Sequence, residues 1–233
     1  MSKESLQKLN ETLIQHFKET NVDNAYYYEP FFEHYWKQKD KIGICNLEPY
    51  DNGLGDNLMG IKKVDDKVIV DYWYNSQTIQ RTLKMFQLIT KKLEGDGGWL
   101  TEKDFSDCDN KKVDEVVTRD LGSSLYFNFR LTVGAHVNEN TSQILTFYKD
   151  SFYQEYYRNF VKESELNMLI VTGKTGCDLI NMIYPELKLE YNRNPKRNND
   201  GILICSAKHP AARDYSNAEM VQNVNEFFDS YWE

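Results

Sequence analysis

The chain has 233 residues, 40% hydrophobic and 14% aromatic, which suits one domain with a substantial core. It holds no run of about 18 apolar residues, so no membrane span is expected. The start Met1-Ser2-Lys3-Glu4-Ser5 lacks an apolar signal region, so a cytoplasmic location is expected. With 28 basic and 36 acidic residues the net charge is −8, which argues mildly against a protein that grips nucleic-acid phosphates over a broad basic face.

Leu6, Leu9, Leu13 and Phe17 recur at helical spacing, so roughly the first twenty residues read as an amphipathic helix. Tyr26 to Phe32 reads as an aromatic loop or a second short helix, and residues 1–40 as an N-terminal helical and aromatic extension. Ile42 to Cys45 is a short apolar strand. The loop beyond it carries Glu48 and continues through Gly53 and Gly55, where backbone can approach a ligand closely. Val68 to Tyr72 reads as a minor strand. A helix follows with Ile79, Leu83, Phe86 and Leu93 on one face, stopped by Gly95. The charged stretch 96–122 reads as an insertion or a divergent helix.

The second main strand runs to about Phe129, and one long helix is expected from the stripe Ile144, Tyr148, Phe152, Tyr156 and Phe160. Met168 to Val171 is the third strand and Ile202 to Cys205 the fourth. Ser216-Asn217-Ala218-Glu219 reads as a capping box opening a final helix. Strands alternating with helices imply parallel βαβ units. The expectation is a single α/β domain, a three-layer α/β/α sandwich around a central four-stranded parallel sheet.

Two tempting signals are weak. Gly173-Lys174-Thr175 follows a strand, but Met168 stands where a phosphate loop needs its first glycine. Cys45, Cys108, Cys177 and Cys205 lie far apart, two of them inside strand runs, so buried free thiols are expected rather than an iron–sulfur cluster. Between Leu187 and Arg213 six basic residues, including Arg197, Lys208 and Arg213, face only Glu190 and Asp200. This basic stretch softens the objection from net charge.

Three segments place chemistry at strand ends: Asn46-Leu47-Glu48-Pro49-Tyr50-Asp51, then Leu125 to Val133 around Asn128, then Lys208-His209-Pro210-Ala211-Ala212-Arg213. In an open parallel sheet those ends share the ligand crevice. In this order the segments resemble the uracil-DNA glycosylase superfamily, with its Gly-Gln-Asp-Pro-Tyr-His, Leu-Leu-Leu-Asn and His-Pro-Ser-Pro-Leu motifs. The resemblance spans roughly Ile42 to Asn225.

The resemblance implies a monofunctional DNA glycosylase that uses no cofactor and no metal. Glu48 takes the aspartate's place, orienting water and stabilising the oxocarbenium-like sugar, and His209 that of the donor to the departing base. Such chemistry requires a carboxylate and a preorganised donor. Asn128 matches the amide that reads the pyrimidine edge, and Tyr50 the ring that occludes a 5-methyl group. Leu47 and Met59 fall at pocket-lining positions. Arg213, Lys208, Ala211 and Arg197 are the expected DNA-contacting residues. The expected partner is DNA, single- or double-stranded, with a flipped pyrimidine, and the protein is expected to be a monomer that does not engage membranes.

The sequence also departs from the pattern. Glutamine is replaced by Leu47, histidine by Asp51, serine by Ala211 and the apolar wedge by Arg213. These changes leave open a glycosylase for a modified pyrimidine in foreign DNA, or a non-catalytic DNA-binding protein on the same scaffold.

Overall fold

The four longest strands form where the apolar runs are densest. The computed structural model describes residues 3–22, 25–30, 33–46, 61–63, 77–95, 98–108, 124–131 and 141–233. Its strands are β1 (Tyr26–Tyr28), β2 (Ile42–Asn46), β3 (Ile61–Lys63), β4 (Ser124–Asn128), β5 (Met168–Thr172), β6 (Lys196–Arg197) and β7 (Leu203–Ala207). Its α-helices are α1 (Lys3–Thr20), α2 (Gln77–Glu94), α3 (Glu102–Ser106), α4 (Thr141–Phe147), α5 (Ser151–Glu163), α6 (Gly173–Ile183) and α7 (Asn217–Trp232).

Among the described residues the main sheet has five strands in the order β4-β2-β5-β7-β6. The first four are mutually parallel, and every one of their residues is buried. Burial on both faces is why they read as unbroken apolar runs rather than as alternating ones. Helices α1, α5 and α6 pack together, and α2, α3 and α7 form a second group. Helix α6 lies against β5 and β7, and α7 against β7. The chain is thus α/β, with an arrangement compatible with a sandwich.

The expectation of four strands is corrected by β6, a two-residue edge antiparallel to β7. Two residues carry no periodicity, so the strand is invisible to pattern reading. Its turn is built by Asn198, whose side chain accepts from Asp200 N (3.0 Å) and Ile202 N (2.9 Å). Gly201 supplies the left-handed φ of +82° that the turn requires.

Two more expectations are corrected. Tyr26 to Tyr28 forms neither loop nor helix but pairs antiparallel with Ile61–Lys63, and a 3-10 turn follows at Glu33–Lys37. The single long helix is two, α4 and α5, because Asp150 caps the second by accepting from Phe152 N at 2.9 Å. The aromatic i+4 stripe runs across this break and so concealed it. Phe152 sits half-buried against the His16 ring, while Tyr153, Tyr156, Tyr157 and Phe160 fill the interior. The minor strand expected at Val68–Tyr72 lies outside the described residues, as do 96–97 and 109–122 of the charged stretch.

Buried amides stitch the layers together. On α1 the buried stripe is Leu6, Asn10, Leu13 and Phe17. Asn10 donates to Tyr28 O and accepts from Tyr156 Oη, each at 2.8 Å, tying α1 to β1 and α5. Asn225, fully buried on α7, accepts from Leu100 N and donates to Leu100 O, each at 2.9 Å. Asn225→Ala strands both backbone groups, so urea denaturation is expected to show a loss of about 2–4 kcal/mol.

All four cysteines are buried and none forms a disulfide, and Cys45 and Cys205 lie within strands.

Candidate active site at the carboxyl ends of the strands

The sheet order locates the crevice. From β2 the chain crosses to β4 on one side, then resumes with β5 on the other. This reversal is the switch point beside which open α/β sheets bind ligands. In register across the sheet, Asn128 of β4 stands opposite Asn46 of β2, and Thr172 of β5 opposite Ala207 of β7. Asn46 and Thr172 are joined by a short hydrogen bond from the Thr172 hydroxyl to the Asn46 side-chain amide oxygen. The four strand ends therefore form one row, and His209 follows Ala207 by two residues.

Gly173 turns β5 into α6 at a φ of +78°. A Cβ at Gly173 would stand 3.7 Å from His209 Cβ, so the turn lies against the base of the His209 side chain. Gly173, Lys174 and Thr175 form the first turn of α6.

His209 is held by its own turn. Ala212 N donates to His209 O at 2.8 Å, and Ala211 N donates to His209 Nδ1 at 3.2 Å. A backbone N–H only donates, so Nδ1 is the unprotonated nitrogen and the ring hydrogen sits on Nε2. The ring is half-buried, and burial lowers its pKa below the ordinary 6.5. At neutral pH His209 is thus a neutral imidazole with an Nε2–H donor.

The loop after it is braced from two helices. Arg81 on α2 donates to Tyr215 O at 2.6 Å and lies 5.6 Å from the centre of its ring, and Tyr215 Oη donates to Asn223 of α7 at 2.9 Å.

The lowered pKa has a consequence for stability. Below about pH 6.5 the unfolded chain binds a proton at His209 that the folded chain refuses, so the unfolded state is favoured as pH falls. The contribution is intact above that pH and is lost as pH drops toward the folded value. A comparison of melting temperature against pH is expected to show a shallower acid decline for His209→Asn than for the wild type.

Asn128 is wholly inaccessible, at 0% exposure. Its backbone oxygen accepts a short hydrogen bond from Tyr157 Oη. Neither its amide nitrogen nor its amide oxygen has a hydrogen-bond partner among the described residues. The Tyr28 phenol is close by. Burial pushes its pKa well up and the Asn128 amide, outside normal hydrogen-bond geometry, opposes that shift, while the phenol proton goes to Arg130 O at 3.0 Å. A buried amide with both ends unsatisfied costs roughly 1–3 kcal/mol and has the complementary donor and acceptor of a pyrimidine edge.

The expected DNA contacts divide. Ala211, half-buried, serves His209 through its backbone, and Arg213 is exposed on the same turn. Lys208 is held by Asp214 and Glu219, each at 3.0 Å, which offsets its charge. Glu219 N donates to Ser216 Oγ as a capping box requires, whereas the Glu219 carboxylate goes to Lys208.

Arg197 lies at the opposite, amino-terminal end of the sheet, paired with Leu203. Its guanidinium donates to Gly201 O at 3.1 Å and to Ser230 O and Tyr231 O at 3.3 Å, closing the end of α7. The fold does not bring Arg197 to the crevice. Leu47, Glu48, Tyr50 and Met59, with Gly53 and Gly55, lie outside the described residues.

Sequence reasoning missed Asn46, Tyr126 and Thr172, three polar groups joined at the switch point. Their one signal was polarity at or near the ends of otherwise apolar runs.

A cavity of about 530 Å³ lies elsewhere, between α1 and the segment Tyr27 to Trp36. It is lined by Lys3, Glu11, Glu29 and Glu33 and holds neither His209 nor Asn128. The strand ends instead carry Asn128, the joined Asn46 and Thr172, and the His209 turn in one row. Among the described residues, no three His, Cys, Asp or Glu side chains converge as metal ligands.

No protein-family model matches the chain, and no curated protein sequence matches it.

Proposed function

We propose that the protein is a monofunctional DNA glycosylase of the uracil-DNA glycosylase type, hydrolysing the N-glycosidic bond of uracil or a related pyrimidine flipped out of DNA. The observation that carries this reading is the pairing of two groups in one row of strand ends. One is the buried Asn128 amide, with neither end partnered among the described residues, and the other is a neutral His209 whose Nε2–H is a donor.

Asn128 reads the pyrimidine edge. A bidentate amide of this kind discriminates between bases by about 1–3 kcal/mol. His209 donates to the base oxygen that becomes anionic as the bond breaks. Its neutral state suits the task, because donation without proton transfer stabilises the anion through a fixed dipole. Glu48, two residues past Asn46, supplies the carboxylate that stabilises the sugar cation and orients water. Flipping the nucleotide costs a few kcal/mol of unstacking, and Arg213 on the His209 turn contacts phosphate. The protein acts as a monomer inside the cell, on a glycosylase-like sandwich.

Leu47 and Asp51, together with Ala211 and Arg213 on the His209 turn, favour a modified pyrimidine as a second reading. Incubation with oligonucleotides carrying uracil or modified pyrimidines, followed by alkaline cleavage and mass spectrometry of the freed base, tests both. Base release that disappears in Glu48→Ala is expected. Release undiminished in Glu48→Ala and His209→Ala would reject the mechanism.

A further inference from the structure

The two groups that carry the proposed chemistry sit on strands that do not touch. Asn128 ends β4 and His209 follows β7, and β2 and β5 lie between them. Between those middle strands the register runs only to Cys45 and Val171. One residue further on, side chains take over. Thr172 Oγ1 donates to Asn46 Oδ1, and Asn46 Nδ2 donates to Tyr126 Oη of β4 at 2.5 Å. The Asn46 backbone oxygen also accepts from Phe129 N at 2.9 Å, immediately after Asn128. Asn46 is 2% exposed and Thr172 0%, so each polar atom here was desolvated at a cost that an apolar pair would have avoided.

We infer that Asn46 is a positioning residue, which with Thr172 and Tyr126 clamps the ends of β4, β2 and β5 and so fixes Asn128 relative to His209. The inference rests on the glycosylase reading for its chemical consequence. Both ends of the Asn46 amide are occupied within the protein, so it acts through its neighbours. On one side it holds the strand end that carries Asn128. On the other it holds Thr172, whose next residue, Gly173, backs onto His209. A misplacement of about 1 Å between reacting groups can lower a rate roughly 100-fold. A clamp across the two intervening strands controls that spacing.

Thr172→Val removes the hydroxyl and keeps the shape, and Thr172→Ser keeps the hydroxyl. Single-turnover base release is expected to fall about 10- to 100-fold in Thr172→Val. DNA affinity is expected to stay within about twofold, because no clamp atom reaches the DNA. Thr172→Ser is expected to release base at close to the wild-type rate. Tyr126→Phe, which takes the other partner from Asn46, is expected to slow release in the same way.

Amide exchange at Phe129, measured by NMR, is expected to quicken in Thr172→Val and not in Thr172→Ser. Three results overturn the inference: wild-type release in Thr172→Val, rate and DNA affinity falling together, or Thr172→Ser as slow as Thr172→Val. If the wild-type protein releases no base from any DNA, the functional reading fails and Phe129 exchange alone decides the clamp. Exchange that quickens only in Thr172→Val then supports it, and exchange unchanged in both variants overturns it.

Discussion

Asn128→Leu is expected to make the protein more stable and to cripple base release. The Asn128 amide is buried with neither end partnered among the described residues. Such a group costs roughly 1–3 kcal/mol, and an apolar side chain of similar volume removes that cost. Its backbone bond to Tyr157 does not depend on the side chain. In a chain of this length the gain corresponds to about 2–12 °C in melting temperature. Release of the base is expected to fall roughly 10- to 100-fold, the worth of a bidentate contact of about 1–3 kcal/mol. Thermal unfolding and single-turnover release on the same preparation check both halves. If Asn128→Leu loses stability, the amide has a structural partner and does not read a base.

The second large effect falls on His209. Removing one preorganised donor to a developing anion costs about 10²–10³ in rate, so His209→Ala is expected to lose that much while binding DNA normally. His209→Gln, which keeps an N–H at a similar reach, is expected to recover part of it. Because burial lowers the His209 pKa and Ala211 N–H occupies Nδ1, the imidazole stays neutral above its lowered value. The rate should therefore show no His209 transition between pH 7 and 8. A rate in His209→Ala equal to that of the wild type removes the histidine from the mechanism.

The parallel strands were legible because burial on both faces leaves an apolar run whatever the register. The same logic hides small exceptions. β6 is too short to carry a pattern, and the α4–α5 break is set by one capping side chain, Asp150, within a continuous aromatic stripe. Asn10 on α1 escapes an apolar pattern because its burial is compensated by two hydrogen bonds across layers. At the site, Asn128 and His209 were visible because each directly ends or follows an apolar run.

Arg197 looked like part of the same basic stretch as Lys208. Linear proximity does not say which end of a sheet a residue occupies, and the hairpin at Asn198 sends Arg197 to the far end. The Thr172–Asn46–Tyr126 clamp was illegible because its meaning depends on which strands are neighbours, and chain order alone does not fix that.

The most direct test of the strand-end site is a crystal structure of the protein soaked with free uracil. The expected result is a pyrimidine in the crevice beside β2 and β5, its edge hydrogen-bonded to the Asn128 amide and an exocyclic oxygen within reach of His209 Nε2. A crevice closed to the base, with the Asn128 amide satisfied by the protein itself, would contradict the assignment of this site.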